Sequence, residues 1–170
     1  MLGILIAGCA GAPGVGTTAS GQLKDFDLVA YQGEEILGGQ TSHFATLFGR
    51  GKQPVVLNFW AGQCPPCRAE MPAFQHAADD YQGKVLVVGL DVGEFTGLGT
   101  QDDARSLLQE LNINYPTAYA VDASPLQLYN VRAMPTTLFL SPNGALQEQV
   151  AGLIQEDRLR SSLERLVAAS

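Results

Sequence analysis

Cys64-Pro-Pro-Cys67 stands between an apolar run, Pro54 to Trp60, and a segment of helical periodicity, Pro65 to Tyr81. Two thiols at this spacing, opening a helix, suit thiol–disulfide exchange. A helix N-terminus offers free amide donors and a partial positive charge, and both favour a thiolate over a thiol. The thiolate is the nucleophile, which assigns attack to Cys64. Cys67 lies one turn in, on the apolar face, and reads as the resolving residue: it would attack a mixed disulfide at Cys64 and release the reduced substrate. Pro66 fixes backbone angles in a first turn that tolerates a missing amide, which keeps the two sulfurs within bonding reach.

Other chemistries fit this pair less well. A tetrahedral zinc site needs two more ligands, but the remaining cysteine is Cys9, far upstream, and His43 and His76 have no ligand spacing. Both histidines read as ordinary surface or boundary residues. A purely structural disulfide would close a tiny loop and stabilise little. A cysteine peroxidase should have Thr or Ser three residues before its nucleophile, where Ala61 stands. Gly93-Glu-Phe-Thr-Gly-Leu-Gly99 lacks the glycine spacing and following Lys of a phosphate loop, and reads as a flexible edge of the site. Asp91 ends a buried strand, a place for either a functional carboxylate or a loop cap. Arg68, four residues after Cys64, is either a partner for its thiolate or a surface charge. The only redox group expected is the Cys64–Cys67 pair itself, with no bound cofactor.

The elements that must position these residues follow from periodicity. Pro54 to Trp60 is apolar almost throughout, as in a central parallel strand covered on both faces. In Pro65 to Tyr81, apolar side chains at Cys67, Met71, Phe74, Ala78 and Tyr81 line one helical face, with Pro72 expected to kink it. Lys84 to Val92 is a second buried strand, and Ala104, Leu107, Leu108 and Leu111 mark a second amphipathic helix. After Pro116 come a strand Thr117 to Val121, a short helix Ser124 to Tyr129, a strand Thr136 to Leu140, a turn at Ser141-Pro-Asn-Gly144, a strand Ala145 to Ala151, and a last helix carrying Leu159, Leu163, Leu166 and Val167. Upstream, Phe26 to Tyr31 and Glu34 to Leu37 read as a hairpin around Gln32-Gly33, and Ser42 as the cap of a brief helix through Phe48. The fold class is α/β, with a mixed sheet, parallel in its first half and antiparallel after the Pro142-Asn-Gly turn.

Length and composition agree with one folded unit. The chain has 170 residues, 46% of them hydrophobic, enough for a core that needs no disulfide or metal. Only 16% are charged, with 10 Lys+Arg against 17 Asp+Glu and a net charge of −7, and no basic run exists to grip nucleic acid. Residues 1–8 are apolar and read as a signal segment, possessing no Lys or Arg at its start. Residues 9–21 are mostly small, rich in Gly and Ala with almost no side chain able to pack, and read as a lipidated flexible tether, and residues 22–170 form the domain. The tetrad Ile6-Ala7-Gly8-Cys9 resembles a bacterial lipoprotein box, in which the chain is cut before the cysteine and the thiol lipidated. No run approaches the roughly 20 apolar residues of a membrane span, so attachment is expected through lipid on Cys9.

Taken together, Asn58-Phe-Trp-Ala-Gly-Gln-Cys-Pro-Pro-Cys-Arg-Ala-Glu-Met-Pro72 and Met134-Pro-Thr-Thr-Leu-Phe139 resemble the thioredoxin superfamily, and more narrowly its extracytoplasmic TlpA/ResA-like redoxins. The resemblance implies a thioredoxin fold with an added N-terminal hairpin and an insert after the second core strand, matched in place by Phe26–Leu37 and Gly93–Leu111. It implies a cis-proline at Pro135 facing the cysteines, with the Met134 backbone pairing with an extended substrate segment. Trp60 matches another tryptophan position of the family and Gln63 a rim position, both expected to contribute to substrate binding, although Trp60 is most simply core and Gln63 replaces the usual aromatic. Glu70 matches a carboxylate kept near the sulfurs; three residues after Cys67, on the same face, it can influence the resolving thiol's proton. Because Asn58 stands where thioredoxins proper have a buried Asp, proton management should fall to Glu70. The implied activity is reduction of disulfides in exported proteins, such as apocytochromes awaiting haem, with electrons from a membrane dithiol donor. Two rivals remain at this level: a disulfide oxidant or general exchanger on the same fold, and a Cu(I)-holding metallochaperone that would recruit Met71 or Met134 beside the thiols.

Overall fold

A computed structural model describes residues 23–170. The signal segment, the tether and Cys9 lie outside the described residues. The chain runs through β1 (Asp27–Gln32), α1 (Glu34–Leu37), β2 (Thr41–His43), a 3₁₀ turn (Phe44–Leu47), β3 (Val55–Trp60), α2 (Pro65–Asp80), β4 (Leu86–Asp91), α3 (Gly93–Thr96), α4 (Gln101–Glu110), β5 (Thr117–Ala120), α5 (Ser124–Leu128), β6 (Thr136–Leu140), β7 (Leu146–Ala151) and α6 (Glu156–Ala168). The strands make one sheet in the order β2-β1-β5-β4-β3-β6-β7. β3, β4 and β5 run parallel, and β6, β7, β1 and β2 join antiparallel, which is the mixed sheet the sequence implies.

β3 is buried at every position because both of its faces are covered. Val56 and Trp60 point into a core closed by α2, α4 and α6, where Met71, Phe74, Leu107, Leu159 and Leu163 meet them. Val55, Leu57 and Phe59 point the other way, against Leu28, Leu37, Phe44 and Tyr129. Each fully buried aromatic or aliphatic side chain here contributes about 1.5–3 kcal/mol, so the central strands are the least mobile platform the fold offers. Strand register then places the loops. Phe59 pairs with Thr136, so Pro135 falls beside the C-terminal end of β3, the end that leads into Cys64.

The N-terminal hairpin differs from expectation. Glu34–Leu37 is a helical turn, and the partner of β1 is β2, with Leu28 opposite Ser42. Gly33 and Gly38 flank the turn with φ of 77° and 95°, angles that let the chain enter and leave it sharply while Leu37 drops into the core. Ser42 caps no helix. It sits in β2 and donates its hydroxyl to Leu37 O at 2.7 Å, while Asp25 reaches over to accept from Ala45 N at 2.7 Å in the following turn. The segment Gly93–Gly99, expected to be a flexible edge, opens with α3 and is held by internal hydrogen bonds. α2 continues through Pro72, whose ring faces solvent.

Candidate active site

Cys64 and Cys67 form a disulfide at the N-terminus of α2, with their Cα atoms 5.3 Å apart. Cys64 is the helix N-cap, in extended backbone geometry, and its sulfur accepts from Cys67 N at 3.3 Å. Pro65 and Pro66 occupy the first helical positions, where no amide is needed, so the helix end presents its remaining free amides beside Cys64. Both sulfur-bearing residues are buried, Cys64 at 3% exposure and Cys67 at none.

The loop that delivers Cys64 is pressed against the insert. A side-chain carbon on Gly62 would lie 2.5 Å from Ala104 N and 2.6 Å from the Asp103 carbonyl carbon, so only glycine fits there. The same turn of α4 begins with a capping box: Thr100 Oγ1 accepts from Asp103 N, and Asp103 accepts from Thr100 N at 2.8 Å. The bonds the Asp103 carboxyl accepts from the Thr100 amide and the Thr100 hydroxyl, with one from Gln63, hold it below its ordinary range. Gln63 itself is exposed beside Cys64, and its backbone amide donates to Leu98 O at 2.7 Å.

Glu70 lies one turn beyond Cys67 and is buried at 2% exposure. Its carboxylate joins three elements. One oxygen accepts from Asn58 Nδ2 on β3 at 2.7 Å, the other from Ile154 N just after β7 at 2.9 Å. Burial drives its pKa up to about 7, against the opposing pull of those two bonds. A carboxyl near neutrality can both take and give a proton at physiological pH. Asn58 Nδ2 also lies 3.2 Å from Thr137 Oγ1 on β6, so the amide is fixed between two neighbours. Thr137 and the Ile154 amide were not legible as parts of this site from spacing, and Asn58 was legible only as the residue standing where thioredoxins proper have a buried Asp. The available signal was a lone polar residue, Asn58, inside the apolar run Val55–Trp60.

The Met134–Pro135 peptide is cis. Pro135 is buried and its carbonyl accepts from Gly152 N at 2.8 Å, which pins the loop to the end of β7. Met134 is half-buried and packs on the core cluster that contains Cys64 and Cys67. Trp60, expected among the substrate-binding residues, is fully buried with its ring tilted against Tyr31, so it presents no surface to a substrate. Arg68 turns away from the sulfurs and forms a two-pronged pair with Glu110 of α4, both exposed, which settles it as a surface charge. His43 pairs with Asp27 at 2.6 Å on the surface, and His76 is exposed near Glu156. Met71 is buried in the core, away from any role as a soft ligand at the rim. Among the described residues no group of three His, Cys, Asp or Glu side chains gathers as for a metal, and no helix is long and apolar enough to cross a membrane.

Comparison with known proteins gives four consistent findings. The AhpC/TSA family profile matches residues 20–149. The thiol-disulfide oxidoreductase ResA of Oceanobacillus iheyensis is 34% identical over 142 residues, 82% of this chain and 68% of that protein. The thioredoxin-like protein YneN of Bacillus subtilis is 30% identical over 152 residues, 88% of this chain and 81% of that protein. Among solved structures, the exposed lipoprotein thioredoxin Etrx1 of Streptococcus pneumoniae superposes with a TM-score of 0.67 at 23% identity, covering 84% of this chain and all of that one, which shows the thioredoxin fold.

Proposed function

Because this chain belongs to the AhpC/TSA family and carries a Cys64–Cys67 disulfide on a helix N-terminus, we infer that it is a thiol-disulfide oxidoreductase and that it works in the reducing direction. The observation that carries the reading is the pairing of that disulfide with a buried carboxyl whose pKa lies near 7, one turn from the resolving cysteine.

The cycle starts from the dithiol. Cys64 thiolate attacks one sulfur of a substrate disulfide; that bond breaks, and the second substrate sulfur leaves as a thiolate and takes a proton. Cys67 passes its proton to Glu70 and attacks Cys64 Sγ in the mixed disulfide. The remaining substrate sulfur leaves as a thiolate and takes the proton from Glu70, and the protein is left as the Cys64–Cys67 disulfide. Two electrons and two protons from an external dithiol donor restore the starting state. Cys67 is fully enclosed, so substrate and donor both exchange at Cys64. The backbone at Met134-Pro135 pairs with an extended stretch of the substrate, and exposed Gln63 gives the rim a polar amide. Substrates in this reading are cysteine-containing exported proteins, apocytochromes among them. The tetrad ending at Cys9 supports a lipid anchor and a place outside the cytoplasm, with a membrane dithiol as donor.

Cys67→Ser tests the mechanism. With a disulfide-bearing protein substrate it is expected to accumulate a covalent complex through Cys64, visible on a non-reducing gel and cleared by dithiothreitol, while unchanged turnover in that variant refutes the scheme. The reduction potential tests the direction. A value of about −270 mV fits a reductant, and one of about −120 mV an oxidant.

A further inference from the structure

The two segments that flank the central strands, the N-terminal hairpin and the insert, meet at Asp91. Asp91 ends β4 with its carboxylate buried. One oxygen accepts from the Tyr31 hydroxyl of β1 at 2.7 Å, and the other from Gly93 N at 2.9 Å. Gly93 O in turn accepts from Leu98 N at 3.1 Å, and Leu98 O accepts from Gln63 N at 2.7 Å. The series therefore runs from the hairpin strand to the residue before the nucleophile without a break.

Close packing leaves it little slack. A side-chain carbon on Gly93 would lie 2.8 Å from Gly99 O, and one on Gly99 would lie 3.1 Å from Gln63 N. Tyr31 is itself wedged: the Arg105 guanidinium of α4 sits 4.9 Å over its ring, and the Trp60 indole lies tilted on the same ring with centroids 6.5 Å apart. Glu94 and Arg105 are the other charges that act on Asp91, one from α3 and one from α4.

We infer that Tyr31 and Asp91 are positioning residues of the redox site, which act through the Gly93–Gly99 segment to fix the Gln63 backbone and so the alignment of Cys64 with the first turn of α2. The physical reason is the short reach of helix-end stabilisation. The free amides and the partial charge act within about one turn, so a thiolate gains from them only while its sulfur is held near them. The Ala61–Cys64 turn has one backbone bond of its own, Cys64 N to Ala61 O at 3.2 Å, and the Leu98–Gln63 bond ties its backbone to the insert, beside the packing of Gly62 on α4 and the Gln63 bond to Asp103. Releasing that tie lets Cys64 drift from the amides and weakens its thiolate. The inference rests on the exchange reading only in taking Cys64 as the nucleophile.

Three variants of the reduced protein test it: Tyr31→Phe, Asp91→Ala and Asp91→Asn. The rate of Cys64 alkylation by iodoacetamide across pH reads the thiol's acidity, equilibration with glutathione reads the potential, and thermal melting reads the fold. Tyr31→Phe and Asp91→Ala are expected to raise the pH at which Cys64 ionises and to slow alkylation at pH 6 by about threefold, the size of half a pKa unit. Asp91→Asn should stay close to wild type, since its amide can accept from Gly93 N and donate to the Tyr31 oxygen. Lowered melting temperatures together with wild-type Cys64 titration and potential would overturn the inference and leave the series a structural brace only. Should Asp91→Ala fail to fold, Tyr31→Phe, which removes one hydroxyl, decides the matter. A wild-type protein that alkylates normally at Cys64 but reduces no disulfide would refute the proposed function and leave this test standing.

Discussion

Replacing Glu70 with Gln should reshape how the oxidised protein's stability depends on pH. In the folded protein burial holds the carboxyl's pKa at about 7, against 4.5 when it is free in water. Between those values the folded state binds the proton that the unfolded state has lost. Stability therefore falls as pH rises through this window, and no further above it. At 1.36 kcal/mol per pKa unit, the buried carboxylate costs about 3 kcal/mol at pH 8 relative to pH 4.5. Gln carries no charge and escapes that cost. It also keeps its partners, because Asn58 can turn its amide so that Oδ1, which has no partner in the present arrangement, accepts from the new Gln amide. The assay is urea denaturation of the oxidised protein at several pH values from 4.5 to 8.5, wild type against Glu70→Gln. Other titrating groups, including buried Asp91, are common to both chains and cancel in the difference. The gap should move in the variant's favour by about 3 kcal/mol across the window, equivalent to roughly 6–12 °C in melting temperature for a domain of this size. Parallel curves would refute the claim that Glu70 is an acid held near neutrality by burial.

Two further outcomes follow from the loop and the helix surface. Gly62→Ala puts a carbon 2.5 Å from Ala104 N, in contact with backbone that cannot swing away, and should cost about 1–3 kcal/mol in thermal or urea unfolding; an unchanged midpoint would show that the loop does not need its closeness to α4. Arg68→Ala removes an exposed pair with Glu110 and should leave both the melting curve and the alkylation profile of Cys64 where they are, whereas a shift in that profile would make Arg68 a partner of the thiolate after all.

The sequence alone carried the redox pair, the helix that bears it and the order of most elements, because each is a local signal. Cys64 and Cys67 lie within four residues, α2 shows its buried face by spacing, and β3 and β4 announce cover on both faces by unbroken apolar runs. The sequence also placed Glu70 on the face of Cys67. Where local signals are weak the reading slipped. Glu34–Leu37 offers one buried side chain, Leu37, and a single apolar anchor cannot distinguish a strand from a helical turn bracketed by glycines. What only the tertiary structure decided concerns groups brought together from distant positions. Glu70 gains its near-neutral pKa from burial between Asn58 and Ile154, 12 and 84 residues away along the chain. Asp91 finds Tyr31 60 residues away, and Trp60, expected to help bind substrate, is fully buried against the Tyr31 ring. Chemistry that depends on residue type and short spacing is written along the chain. Acidity and alignment depend on desolvation and on which partners the sheet brings into contact, and these exist only once the strands have paired.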